Sequence, residues 1–250
     1  MTANVTEARP VLVVDKLTVG YGKAPIVREA SLRVSAGEVA VLIGPNGSGK
    51  STLLKGMAGA LTPMSGTVVI SGEPDQDITG NPPERMNRHG MAYVPQLANV
   101  FPSLTVVENL ELGMYGTRRG VSERIEYVFA VFPDLSSAKR KTARVLSGGQ
   151  REMLALGRAL MGKPKVMLVD EPTAGLSPRY QDVVWEQLGR LRDSGVALFV
   201  VEQNTRQALD EADRAYVLVA GQMRREGLAR DLLVDEELVR MFIGEGLGAG

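Results

Sequence analysis

A glycine-rich loop restricts what this chain of 250 residues can fold into more than any other sequence feature. The loop runs from Gly44 to Thr52 and reads GPNGSGKST, which matches the pattern G-x-x-x-x-G-K-[ST]. It lies between an apolar run at 39–43, typical of a buried strand, and a helix-like stretch at 53–57. The pattern requires this order of strand, loop and helix. The sequence therefore predicts an α/β fold with a mixed, mostly parallel sheet at its centre.

The composition of this loop is suited to binding phosphate. Its glycines let backbone N–H groups converge on phosphate oxygens, and the following helix points the positive end of its dipole at the same anion. Lys50 would reach the β- and γ-phosphates of a nucleotide, and the Ser51 hydroxyl would bind Mg²⁺. The alternative is a glycine turn that only joins a strand to a helix. The residues expected to contact ATP are those of the loop: Gly44, Asn46, Gly47, Gly49, Lys50, Ser51 and Thr52.

A second candidate site is acidic. The apolar run 166–169 ends in Asp170 and Glu171, at the carboxyl end of a predicted strand, where a parallel sheet places its ligands. Asp170 is suited to a direct or water-mediated contact with Mg²⁺. Glu171 then points toward the γ-phosphate as the candidate base or water-orienting group. The alternative is a solvated acidic strand end.

Composition and charge exclude several classes of function. Lysine and arginine together number 29, as do aspartate and glutamate, so no net charge attracts nucleic acid or anionic lipid. The chain has no cysteine and one histidine, His89, which makes thiolate chemistry and a histidine-rich zinc site poor interpretations. Met1–Pro10 lacks the apolar core of a signal peptide, and no stretch approaches the roughly 20 apolar residues of a membrane span. We expect no nucleic-acid partner and no direct membrane insertion.

Apolar and β-branched runs predict the strands. Those at 39–43, 166–169 and 196–201 are apolar throughout, as in parallel strands that are covered on both faces. The stretches 18–34 and 65–72 alternate and contain turn residues, which favours a smaller antiparallel sheet. The apolar run of the second stretch is 67–70, and two further strands are predicted at 11–14 and 216–219.

The character of the sequence changes between about 97 and 145. Thr105-Val106-Val107-Glu108 is a capping-box pattern that opens a helix, and a second helix begins at Ser122 with apolar residues at helical spacing. We therefore predict a nucleotide-binding core with the antiparallel subdomain at 1–96 and 146–250, and an inserted helical subdomain at 97–145.

A second motif follows this insertion. Residues 146–150 read LSGGQ, a helix-like stretch follows at 151–162, and Asp170 comes 20 positions after Gln150. With LSGGQ upstream of VMLVDEP, the chain resembles the ATP-binding cassette (ABC) family of transporter ATPases over nearly its whole length. That resemblance implies the fold of P-loop (RecA-like) NTPases. It also implies that one set of residues faces the γ-phosphate held by a second subunit: Ser147, Gly148, Gly149 and Gln150. Ser147 and Gln150 also form an ordinary capping-box pattern, and both interpretations can hold.

The resemblance assigns roles to residues elsewhere. Tyr21, 23 positions before Gly44, matches the aromatic residue that stacks on adenine, with a half-buried strand tyrosine as the alternative. Gln96 matches the glutamine that bridges Mg²⁺ or water and the helical subdomain, with an ordinary loop amide as the alternative. The implied metal ligands are then Ser51, Gln96 and Asp170.

Gln203 falls at the switch position, where the family usually has a histidine. His89 is expected at the surface of a polar loop and cannot replace it. A glutamine amide can donate a hydrogen bond to a γ-phosphate oxygen but cannot exchange a proton near neutral pH. We therefore assign Gln203 a positional role in catalysis, beside Glu171 and Lys50.

The departures from the family pattern indicate one branch of it. Ser177 stands where an aspartate is commoner in the family. The chain resembles the smaller ATPase of branched-chain amino acid importers, and of their amide and urea relatives, at Gln203, Ser177 and the stretch 99–106. The resemblance implies an ATP-hydrolysing subunit that pairs head to tail with a second cassette. It implies a place on the cytoplasmic face of the membrane, reached through a permease.

Two alternatives remain open at this point. One is a regulatory cassette that binds ATP without hydrolysing it, and the other is a soluble cassette ATPase that acts on DNA or ribosomes. The surface that would face the permease also has two interpretations, because its apolar residues could equally pack within the helical subdomain. They are Leu97, Val100, Phe101 and Leu104.

Overall fold

The computed structural model describes residues 9–97, 99–114 and 119–235. The N-terminal segment considered above lies almost wholly outside the described residues. The strands are β1 (Pro10–Tyr21), β2 (Ala24–Ser35), β3 (Val39–Ile43), β4 (Ser65–Ile70), β5 (Gln76–Asp77), β6 (Met91–Val94), β7 (Val166–Asp170), β8 (Ala197–Val201), β9 (Arg214–Val219) and β10 (Gln222–Leu228). The helices are α1 (Lys50–Met57), α2 (Pro83–Met86), α3 (Val106–Leu112), α4 (Val121–Val131), α5 (Pro133–Ser137), α6 (Gly148–Leu160), α7 (Pro178–Asp193), α8 (Thr205–Glu211) and α9 (Ala229–Leu232).

The larger sheet has the strand order β10-β9-β3-β8-β7-β6. From β9 to β6 neighbouring strands are parallel, and β10 adds an antiparallel edge. Every residue of β3, β7 and β8 is buried, because helices cover one face of the sheet and α1 with the smaller sheet covers the other. This explains the uninterrupted apolar sequences of the three strands. The prediction of an α/β fold with a mixed, mostly parallel sheet is confirmed. The carboxyl ends of β3, β7 and β8 bring the loop at 44–52, Glu171 and Gln203 to one edge.

The smaller sheet is antiparallel and has the order β2-β1-β4-β5, as the alternating sequence predicts. Alternate side chains of β2 at Ala30, Leu32 and Val34 point inward, and Val27 does so beyond an irregularity in the pairing with β1. They share a core with Leu53 and Met57 of α1 and with one face of the larger sheet. Helix α1 is therefore held between the two sheets, which fixes the direction of its N-terminus.

The other face of the larger sheet is covered by α3, α4, α6 and α7. Leu110 of α3 and Val128 of α4 pack in one core with Val39 and Val41 of β3. Helix α3 has the predicted capping box, whereas α4 begins at Val121 after Gly120 in a left-handed conformation, one residue before the predicted start. The three helices α3 to α5 lie within 97–145, and their status as a separate subdomain stays a prediction. Among the described residues, no helix is long and apolar enough to cross a membrane.

Candidate active site

The loop at 44–52 joins β3 to α1, and its backbone explains two of its glycines. Gly49 has a φ of 104°, in the left-handed region that side chains disfavour, and directly precedes α1. A Cβ on Gly44 would lie 2.1 Å from the carbonyl oxygen of Leu218, so a larger residue cannot approach β9 there. The loop therefore follows a restricted path that ends at the N-terminus of α1, where backbone N–H groups have no helical partner.

Lys50 is only 5% exposed, and its ammonium group lies inside this loop. Its Nζ donates to the carbonyl oxygen of Gly44 at 2.7 Å and to that of Pro45 at 3.2 Å. Burial lowers the pKa of Lys50, and the charges of Glu171 and other nearby carboxylates act in the opposite direction. An ammonium has three N–H donors, so an anion that enters the loop meets a cation already held in place.

Ser51 and Asp170 meet beside Lys50, although 119 positions separate them in the sequence. The Ser51 hydroxyl donates to Oδ1 of Asp170 at 3.2 Å. Burial raises the pKa of Asp170, and the hydrogen bond from Ser51 opposes that shift. Burial, reinforced by the charge of Asp170, also raises the pKa of Tyr93 on the neighbouring strand β6. A hydroxyl and a carboxylate at this distance are oxygen ligands of the kind that Mg²⁺ prefers.

Glu171 accepts two amide hydrogen bonds at one carboxylate oxygen. Nε2 of Gln96 donates to its Oε2 at 2.8 Å, and Nε2 of Gln203 donates to the same oxygen at 2.6 Å. Its own backbone N–H donates to the carbonyl oxygen of Val201, and its φ is 48°, which is uncommon outside glycine. Glu171 is 9% exposed. The backbone and two neutral donors therefore fix this carboxylate.

An open cleft of about 430 Å³ brings most of the predicted nucleotide contacts together. Tyr21 stands at one end of it, 54% exposed, and Glu171 and Gln203 line it as well. The remaining lining residues are Ile26, Asn46, Gly47, Gly49, Lys50, Ser51 and Thr52. A half-exposed aromatic face beside a loop with several N–H groups suits a flat base followed by phosphates.

Comparison with known proteins identifies the family. Residues 27–174 match the family model described as ABC transporter. The chain is 39% identical over 231 residues to a probable branched-chain amino acid transport ATP-binding protein, LivF, of Archaeoglobus fulgidus, covering 92% of this chain and 97% of that one. This chain belongs to the ABC transporter family. It is also 39% identical to the high-affinity branched-chain amino acid transport ATP-binding protein BraG of Pseudomonas aeruginosa, with 92% and 98% covered.

Two further similarities bear on this ABC ATPase. The lipopolysaccharide export system ATP-binding protein LptB of Haemophilus influenzae is 32% identical over 94% of this chain and 98% of its own. A nucleotide-free ATP-binding cassette from an ABC transporter superposes with a TM-score of 0.83 at 28% identity, covering 94% of this chain and all of that one. The P-loop NTPase fold implied by the sequence is confirmed, and so is membership of the transporter ATPases.

The LSGGQ segment of this ABC ATPase opens α6. The Ser147 hydroxyl accepts from the backbone N–H of Gln150, and the Gln150 side chain accepts from that of Ser147, so the predicted capping box is present. A Cβ on Gly148 would lie 3.0 Å from Leu176, and one on Gly149 would lie 3.1 Å from Tyr180. These signature residues do not line the cleft that holds Lys50, although all of them are described.

Two functional features are not predicted from the sequence. Ile26 lines the cleft beside Tyr21, and an isolated apolar residue in an alternating strand gives no signal of that. Buried Glu202 holds Thr173 through its backbone and its hydroxyl, while its other oxygen accepts from the N–H of Gln203. Burial raises the pKa of Glu202. His89, expected at the surface of a polar loop, ends a 3₁₀ turn, where its Nδ1 lies 2.8 Å from Gln76.

Proposed function

We propose that this chain is the ATP-hydrolysing subunit of a membrane importer for branched-chain amino acids or related amides or urea. The observation that carries ATP hydrolysis is the cleft in which Lys50, the Ser51–Asp170 pair and Glu171 converge. The names of the relatives LivF and BraG support the substrate class. The transported molecule itself is selected by other subunits.

The nucleotide is assigned to the cleft. The face of Tyr21 stacks on the adenine, and the loop N–H groups with Lys50 bind the phosphates. One buried polar atom supports this assignment: the Ser48 hydroxyl has no hydrogen-bond partner within the described chain, and a phosphate oxygen is a suitable acceptor. The residues that contact ATP are Tyr21, Gly44, Asn46, Gly47, Gly49, Lys50, Ser51 and Thr52.

Mg²⁺ is assigned to Ser51, Asp170 and Gln96. Their hydroxyl, carboxylate and amide oxygens are the kinds of ligand that this hard cation takes, and the Ser51–Asp170 hydrogen bond already places two of them together. Bound Mg²⁺ would neutralise charge on the phosphates. The Gln96 amide donates through Nε2 to Glu171, and its Oε1 is the atom that would bind the ion.

Glu171 is assigned the role of orienting and activating the attacking water. Its Oε2 is held by Gln96 and Gln203, so the orientation of Oε1 is fixed before any substrate arrives. Phosphoryl transfer depends mainly on alignment and on neutralisation of charge. Lys50, Gln203 and Glu171 supply these within one chain.

Two kinds of partner follow from this proposal. A second cassette, identical or different, would present its LSGGQ segment to this cleft and receive Ser147, Gly148, Gly149 and Gln150 in return. A permease would hold the pair at the cytoplasmic face of the membrane. The proposed permease contact is the segment after Gln96, in which Leu97 is 77% exposed and Phe101 is 48% exposed, with Val100 and Leu104 half-buried beside them.

The decisive experiment uses the complete transporter, with the sibling cassette and permease subunits, in lipid vesicles. We expect ATP on the cassette side to drive uptake of labelled leucine in the import direction and to release phosphate. Vesicles that carry Glu171→Gln in this chain provide the matched control. Absence of ATP turnover by the wild type would indicate a regulatory cassette. Export of lipopolysaccharide, which is the process named for the relative LptB, would overturn the import assignment.

Replacing Gln203 with alanine should lower the hydrolysis rate roughly 10- to 100-fold, in line with about 1.5–3 kcal/mol for a hydrogen bond to a charged group. The loss follows because Glu171 keeps only the hydrogen bond from Gln96. Gln203→His should remain active, since an imidazole N–H can donate to the same oxygen. Steady-state phosphate release by the assembled transporter measures all three proteins. A loss as severe as that of Glu171→Gln would contradict a secondary positioning role.

A further inference from the structure

A hydrogen bond between Asn99 and Glu152 joins the segment after Gln96 to the signature helix α6. Nδ2 of Asn99 donates to Oε2 of Glu152 at 2.9 Å, and the pair is partly buried. Asn99 comes three residues after Gln96, whose amide is bonded to Glu171. Glu152 comes five residues after Ser147, the N-cap of α6. The bond therefore connects the segment that carries Gln96 with the helix whose start carries LSGGQ.

The surroundings of Glu152 make this bond costly to lose. Burial raises the pKa of Glu152 to about 7, the charge of Glu202 at the end of β8 adds to that shift, and the hydrogen bond from Asn99 opposes it. Above pH 7 the group is a partly buried carboxylate, and the amide of Asn99 donates the side-chain hydrogen bond that stabilises it. Glu202 in turn accepts from the backbone N–H of Gln203. Glu202 therefore contacts the residue whose side chain donates to Glu171.

Neither side chain reaches the cleft, so their effect on chemistry must pass through another residue. The cleft lining includes Glu171 and Gln203 but neither Asn99 nor Glu152, which are both described. Helix α6 packs in the central core through Met153 and Leu156. Anchoring Asn99 to this helix restricts the path of the chain only three residues from Gln96.

We propose that Asn99 and Glu152 are positioning residues that set the direction of Gln96 by tying its segment to the signature helix. The inference rests on the proposed ATPase function. A displacement of α6, for example when a second cassette engages LSGGQ, then moves the segment that carries Gln96. A misplacement of about 1 Å can cost up to 100-fold in rate, so the tie has a measurable effect on turnover.

The test exchanges the two functional groups. Asn99→Asp with Glu152→Gln keeps both side-chain lengths and reverses donor and acceptor, so the hydrogen bond can form again. We expect Asn99→Ala and Glu152→Ala each to lower kcat about tenfold while the affinity for ATP changes by less than about twofold. Asn99→Asp alone, which opposes two carboxylates at pH 8, should be worse than either. The kcat of the double variant, Asn99→Asp with Glu152→Gln, should recover to within about threefold of the wild-type value.

The pH profile supplies a readout that a purely structural role would not move. Because the pKa of Glu152 is about 7, the carboxylate is charged above that pH and takes up a proton below it. The kcat of wild type relative to Glu152→Gln should therefore fall as the pH drops from 8 to 6. Glu152→Gln keeps a neutral acceptor for Asn99 at every pH, so its own kcat should show no such decrease near pH 7.

A second readout separates failure of this inference from failure of the proposed function. Amide hydrogen exchange of residues 96–104 should be faster in Asn99→Ala than in wild type. In the double variant, Asn99→Asp with Glu152→Gln, the rate of hydrogen exchange should return to that of wild type. If the wild type hydrolyses ATP but the single variants match it, the positioning role is overturned and the ATPase function stands. If the wild type does not turn over, the ATPase function fails, and unchanged exchange in Asn99→Ala would overturn the tie as well.

Discussion

Glu171→Gln should lower ATP hydrolysis by about 10²–10⁴-fold while ATP binding is retained. The variant keeps the size of the side chain, and its amide oxygen can still accept the hydrogen bonds that Oε2 receives from Gln96 and Gln203. An amide cannot take a proton from water, so the loss falls on chemistry and not on binding. Phosphate release by the assembled transporter and calorimetric titration with ATP measure the two properties separately.

The same variant tests the composite site. Slow chemistry should trap the ATP-bound pair of cassettes, because a ligand that binds only the associated state stabilises it. Light scattering of Glu171→Gln with the sibling cassette should show the paired species when ATP is present. Without nucleotide, the same mixture should show only the separate subunits. The matched control is Glu126→Gln, which changes an exposed carboxylate on α4 and should behave as wild type. Hydrolysis by Glu171→Gln within tenfold of wild type would remove Glu171 from its proposed role.

Lys50→Ala should weaken binding of MgATP by at least about 100-fold. When Nζ turns from the Gly44 and Pro45 carbonyls to the β- and γ-phosphates, it makes two charge-assisted hydrogen bonds of about 1.5–3 kcal/mol each, and the variant loses both. Lys50 is the cation inside the loop, and its ammonium lies among the carbonyls that surround the proposed phosphate site. Isothermal titration calorimetry with MgATP measures the change. Affinity equal to that of wild type would show that the loop does not bind phosphate.

Two controls accompany this variant. Lys50→Ala leaves the Gly44 and Pro45 carbonyls without their donor, so circular dichroism and thermal melting must show that the protein is folded. Lys50→Met keeps the length of the side chain without its charge and should lose affinity to the same degree. Lys141→Ala, at an exposed lysine after α5, should bind MgATP normally.

Features of the fold that depend on residues close together in the sequence could be predicted from the sequence. The central strands are apolar because both faces are covered, and this pattern placed β3, β7 and β8 almost to the residue. The capping boxes at Thr105 and Ser147 depend on residues three positions apart, and both are present. The start of α4 was predicted one residue late, because Gly120 caps it with a left-handed backbone and not with a side chain. A cap of that kind leaves only a weak trace in the sequence.

The sequence by itself determined the α/β fold, the phosphate loop with Lys50, and the acidic strand end with Glu171, because each is written in a contiguous stretch. Only the tertiary structure decided which partners these groups meet. Gln96 and Gln203 lie 75 and 32 positions from Glu171, yet both donate to the same oxygen. Asn99 reaches Glu152 across 53 positions. Such contacts depend on how the strands are ordered and how the helices pack over them, since a side chain spans only a few ångströms and the path of the whole backbone must bring it within reach.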